Sequence, residues 1–144
     1  MHLESHIHKI KKSLIKLQIQ IISESYSLNF AELKCLISNK EYILLFFFDK
    51  SSDLSKKIIS IQKNNIKKKI NSLIFLDISD NWTSMFLFDY YTEPLKIYTI
   101  DFEHEEIYFD GFRVNKEGCE YLSYHDFFAN LQSPNYQTLN QRID

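Results

Sequence analysis

Leu3, Ile7, Ile10, Leu14, Leu17 and Ile21 recur at alternating steps of four and three, the spacing that lines one face of a helix. The chain is therefore expected to begin with an amphipathic helix. His6, Lys9, Lys12, Lys16 and Gln20 fall on its other side as a wet, basic stripe. Leu17, Ile19 and Ile21 also alternate with Gln18 and Gln20, so a strand starting in that stretch is the competing reading. The apolar seam runs for about three heptads, the short limit at which such a helix pairs with a second copy, so a homodimer through it is one expectation.

Beyond this helix the period shortens. Residues 31–37 and 41–48 read as a strand pair around the polar Ser38-Asn39-Lys40, a turn longer than the two-residue ideal. Ile43 to Phe48 is apolar at every position, which predicts a central strand covered on both faces. Ser51, Ser52 and Asp53 offer capping oxygens ahead of Leu54, Ile58, Ile61, Ile66 and Ile70, a lysine-rich helical pattern broken near Asn64-Asn65. A helix over 56–61 implies a parallel crossover; a strand there implies an all-antiparallel sheet. Short strands follow over 73–78 and 82–91, then a pair over 95–102 and 107–114 around the acidic tip Glu103-His104-Glu105-Glu106. Ser123 and Asp126 are spaced like a capping box ahead of a short closing helix.

These elements predict an α+β fold: one domain over 1–132, with a mixed or mostly antiparallel sheet of about five to six strands. The sheet is packed by an N-terminal amphipathic helix, a lysine-rich middle helix and a short C-terminal helix. Residues 133–144, mostly Gln, Asn, Thr and charge, read as a flexible tail.

Composition narrows the function. The chain has 144 residues, 2 Gly and 2 Pro; Gly111 and Gly118 stand alone, which excludes the glycine-rich phosphate cradles. Cys35 and Cys119 are too few for a disulfide framework. Met1 to Lys12 are charged throughout and lack the apolar stretch of a secretory signal. The longest apolar run, Tyr42 to Phe48, is far short of the ~20 residues that cross a bilayer. A cytoplasmic protein without membrane partners is the expectation.

Charge is split along the chain. Residues 1–72 hold 13 Lys against 6 Asp or Glu, a net +7, whereas residues 73–144 hold 4 Lys or Arg against 13 Asp or Glu, a net −9. Such asymmetry suggests a basic and an acidic interaction face. The lysines could touch nucleic-acid phosphate, but Arg113 and Arg142 are the only arginines, and base and phosphate recognition favour the guanidinium fork. Direct nucleic-acid binding ranks below protein binding for that reason.

Catalytic patterns are thin. Asp49, Asp77 and Asp80 would lie at neighbouring strand ends if a crossover helix joins the strands, where carboxylates can hold Mg²⁺ for phosphoryl transfer or phosphodiester cleavage. Glu32-x-Lys34 resembles the carboxylate-x-lysine core of the PD-(D/E)xK nucleases. That core also wants an acidic residue from a preceding strand, and none stands between Ser25 and Ala31. His2 with His6, and Cys119 with His125, lack the partners that a metal site or a thiol nucleophile needs. No catalytic residue, metal or cofactor is assigned.

Asp101, Glu103, Glu105, Glu106 and Asp110 crowd ten residues around the second hairpin, interleaved with Phe102, Tyr108, Phe109 and Phe112. Carboxylates at that density repel one another, but facing a basic partner they speed association and restrict partner choice. Asp101, Glu103, Glu105, Glu106, Tyr108 and Asp110 are accordingly the candidate partner-binding residues. The expected function is that of a small binding protein of the immunity, antitoxin or phage-encoded inhibitor type, acting on a basic, nucleic-acid-binding protein. A Mg²⁺-dependent phosphoryl-transfer or nuclease domain is the alternative.

Overall fold

The computed structural model describes residues 3–27, 30–47, 70–77, 95–108 and 120–133, with positions 60, 63, 64 and 67. Helix α1 spans Leu3–Lys16, and its apolar stripe behaves as the spacing predicts: Ile7, Ile10 and Leu14 are fully buried. That seam is occupied by the chain's own core, so it is not a surface for pairing with a second copy. The helix ends where Gln18 takes a positive φ of 61°, a left-handed residue that stops the helical ladder. The Leu17-Ile19-Ile21 alternation therefore belongs to the entry into a strand.

That strand, β1 (Gln20–Ser27), is followed by β2 (Phe30–Ile37), β3 (Lys40–Phe47), β4 (Asn71–Asp77), β5 (Leu95–Asp101), β6 (Glu106–Tyr108) and β7 (Tyr121–Ser123); helix α2 (Tyr124–Gln132) closes the described chain. The strands lie in one sheet in sequence order, β1 to β7. The β1–β2–β3 and β5–β6–β7 pairs are antiparallel, while β3, β4 and β5 run parallel. The sheet is thus mixed, and among the described residues it has seven strands rather than five or six. β1 and β7 account for the surplus. The strand expected over 82–91 and the 133–144 tail, apart from Ser133, lie outside the described residues. Of the lysine-rich middle helix only Ser60, Lys63, Asn64 and Lys67 are described, each helical.

The β2–β3 turn is shorter than the sequence suggested. Ile37 pairs directly with Lys40, leaving Ser38 and Asn39 as a two-residue loop with φ of 52° and 65°. Positive φ at both central positions matches the twist of the flanking strands. The parallel steps instead need long crossovers, and the intervals between β3 and β4 and between β4 and β5 are the longest between consecutive strands.

Helices α1 and α2 pack on one sheet face. There Phe46, Phe75 and Tyr98 stack across β3, β4 and β5, with centroids 4.8 and 5.6 Å apart. Phe127 of α2 meets Phe75 and Tyr98 edge-on at 5.7 and 5.0 Å. Each fully buried aromatic or aliphatic side chain here contributes roughly 1.5–3 kcal/mol. Gln132 Nε2 donates to Leu17 O at 2.8 Å, tying the end of α2 to the end of α1. On the opposite face Ile43, Leu45, Phe47, Ile74, Leu76 and Ile97 form a second buried cluster with Phe30 and Ile70 at its margin. β3 is therefore buried from Ile43 to Phe47, as its unbroken apolar run requires. No helix among the described residues is long and apolar enough to cross a membrane.

A candidate protein-docking site

The parallel strands β4 and β5 end at the same rim, and the chain leaves β5 there through Phe102–Glu105 before returning as β6. Asp101, the last residue of β5, builds this tip. Its Oδ1 accepts from the backbone N–H of Glu103 at 3.1 Å and of His104 at 3.2 Å, and its Oδ2 lies 2.9 Å from His104 Nδ1. An aspartate that takes the amides two and three residues on forms its own turn. Glu105 completes the reversal with a φ of 54°. Phe102 folds back into the core and packs on the His6 ring of α1 at 5.2 Å. The tip is thus pinned from within by a carboxylate and from below by an aromatic ring.

The expected partner-binding residues divide accordingly. Glu103 and Glu105 are exposed, Glu106 is half-buried, and Asp101 and Tyr108 are buried at 5% and 3% exposure; Asp110 lies outside the described residues. Asp101 and Tyr108 are therefore corrected from contact residues to supports. Tyr108 donates its hydroxyl to Glu106 Oε1 at 2.7 Å, and burial followed by that hydrogen bond pushes its phenol well above the usual range. Its ring lies 5.5 Å from Tyr121, its cross-strand partner on β7, and Tyr121 is 52% exposed. Among the described residues Tyr121 is the large aromatic side chain left exposed. Sequence reasoning missed it because β7 is three residues long and has no periodicity to detect.

Among the described residues the exposed carboxylates are only loosely engaged by the chain itself. Lys9 Nζ is 3.7 Å from Glu105 Oε2 with both side chains about half exposed, a geometry worth little in water. Glu103 has no ion-pair partner among the described residues. His8, Lys9, Lys12 and Lys16 form an exposed basic stripe on α1, while Lys11 is held by Glu24 at 2.9 Å. His6 is half-buried, and its pKa is lowered first by burial and then by Lys9, against the pull of Asp77, so its imidazole stays neutral at pH 7. Beneath the tip the Tyr124 hydroxyl is buried with no hydrogen-bond partner among the described residues. Burial, then Glu105, Asp101 and Asp77, raise its pKa beyond the ordinary phenol range.

The alternative chemistries find less. Asp77 stands at the carboxyl end of β4 beside a parallel neighbour, but Asp49 and Asp80 lie outside the described residues. No group of three His, Cys, Asp or Glu that could hold a metal occurs among the described residues. Glu32 and Lys34 share one face of β2, yet Lys34 Nζ is 3.5 Å from Glu41. The acidic residue on the preceding strand, Glu24, sits opposite the helix-side Leu33 and bonds Lys11. It therefore projects from the other face. Burial pushes the Cys35 thiol up to about 12, which leaves it protonated and inert. His125 is exposed on α2, with Cys119 outside the described residues. No family model, curated protein or solved structure matches the chain.

Proposed function

We propose that this chain is a small cytoplasmic binding protein that neutralises or regulates a basic protein partner, in the manner of an immunity protein, antitoxin or phage-encoded inhibitor. One observation carries the reading: Glu103 and Glu105 are exposed on a tip that Asp101 and Phe102 hold in a fixed shape. A preorganised acidic projection beside an exposed tyrosine loses little entropy on binding and complements a lysine- or arginine-rich surface. A nucleic-acid-binding protein presents such a surface. Inhibition requires only this complementarity, whereas catalysis would need a converged constellation of reactive groups. The test is capture of a basic partner by wild-type protein and by the Glu103→Lys, Glu105→Lys, Glu106→Lys triple variant. Capture should be lost while the circular dichroism spectrum and Tm are retained; undiminished capture by the variant overturns the reading.

The parallel β3–β4 pair supports one second reading, in which Asp77 joins Asp49 and Asp80 around Mg²⁺. In that case millimolar Mg²⁺ raises Tm, as any ligand that binds only the native state does, and Asp77→Ala removes the shift. Absence of a shift eliminates it.

A further inference from the structure

Among the described residues the sheet begins at β1, an eight-residue strand with only β2 beside it. Its outer row of N–H and C=O groups is a template for another strand, and lone edges are normally guarded by lysine, proline or an uncompensated charge. β1 carries none of these. Its one charged residue, Glu24, is neutralised by Lys11 at 2.9 Å and also accepts from the Tyr26 hydroxyl at 3.0 Å. Ile22, at the bulge between Ile21 and Ser23, is 44% exposed. The bulge spoils one end of the edge and leaves Ser23–Ser27 in regular register.

That regular stretch is self-complementary. Laid antiparallel against a second copy and centred on Ser25, it sets Glu24 opposite Tyr26 of the second copy, Ser23 opposite Ser27, and Ser25 opposite itself. No charge meets its like, each carboxylate gains a phenol neighbour, and the serines face one another as hydroxyl pairs. Glu24 and Tyr26 both stand on the helix-side face, opposite Leu33 and Ala31, so their cross-strand contacts form on one side. We propose that two copies of this chain associate through β1, antiparallel, with Ser25 on the two-fold axis, joining their sheets into one. A two-fold interface of this isologous kind closes at the dimer. β1 is the edge farthest from β6 and β7, so the dimer carries its two acidic tips toward opposite ends.

Sedimentation velocity from about 1 to about 500 µM spans the range in which a micromolar strand-pairing interface fills. Wild-type protein should pass from monomer to dimer, with the amides of β1 gaining protection from exchange as concentration rises. Ser25→Lys places two lysines at the axis and should weaken association by about tenfold or more. Ser25 is exposed, so the circular dichroism spectrum and Tm should not change. The triple reversal at the acidic tip should dimerise like wild type, which separates this interface from partner docking. A wild-type chain that stays monomeric throughout the range, or a Ser25→Lys variant that dimerises as strongly as wild type, overturns the proposal.

Discussion

Asp101→Ala removes the acceptor around which the acidic tip is wound. Two backbone amides at 3.1 and 3.2 Å and the His104 ring nitrogen at 2.9 Å lose their partner together. Hydrogen bonds to a charged acceptor contribute about 1.5–3 kcal/mol each, but amides at an exposed tip can turn to water, so the expected net loss is about 2 kcal/mol. For a chain of this length that corresponds to a fall in Tm of about 4–8 °C. Asp101→Asn keeps a carbonyl oxygen for both amides and should cost less than half as much. Urea denaturation followed by far-UV circular dichroism measures the loss, and hydrogen exchange at the Glu103 and His104 amides localises it. A stability for Asp101→Ala within about 0.5 kcal/mol of wild type, the scatter of ordinary surface substitutions, would refute the assignment of Asp101 to turn-building. Equal damage from Asn and Ala would refute it as well, because Asn still offers the acceptor.

Phe75→Ala should destabilise by about 3–5 kcal/mol, since Phe75 is fully buried among Phe46, Tyr98, Phe127 and Phe128; a denaturation midpoint near that of wild type would contradict the packing. Tyr124→Phe should raise stability by about 1 kcal/mol, because it deletes a buried hydroxyl with no partner among the described residues; a loss above that size would reveal a hydrogen bond that the hydroxyl makes. The hydrogen bond from Lys11, supplemented by Tyr26, holds the Glu24 carboxyl below its ordinary 4.5. Its contribution is therefore present above that pH and is lost as pH falls from about 4.5 through the folded-state value. The side chain is 38% exposed, so solvent screening limits the Glu24→Gln difference at pH 7 to about 0.5 kcal/mol; a difference that persists unchanged at pH 3 would contradict the pairing. Cys35 should resist alkylation at pH 8 in the folded protein and react on unfolding, as peptide mass mapping can show.

How far the sequence was legible depended on burial. The α1 stripe and the β3 run were readable because both are saturated with large apolar side chains whose spacing has one physical solution. β1 was partly hidden: Gln20–Ser27 is mostly exposed, so its polar residues carry no alternation, and its first apolar residues also extend the helical pattern. β7 is too short for a period to register. At the candidate site the acidic density marked the right hairpin, but composition cannot separate a carboxylate that faces solvent from one that caps a turn. Asp101 and Glu103 look alike in the chain and differ through the amides that the first accepts. Tyr108 and Tyr121 likewise differ only in what covers them, which depends on pairing between strands with twelve positions between them in the chain, 109–120.

Association kinetics with an identified basic partner, measured by surface plasmon resonance at rising salt, test the acidic tip most directly. Steering by Glu103 and Glu105 predicts a wild-type on-rate that falls steeply with ionic strength, and a triple charge-reversal variant that binds slowly or not at all at low salt. An on-rate indifferent to salt, or equal rates for the two proteins, would show that the carboxylates at the end of β5 take no part in recognition.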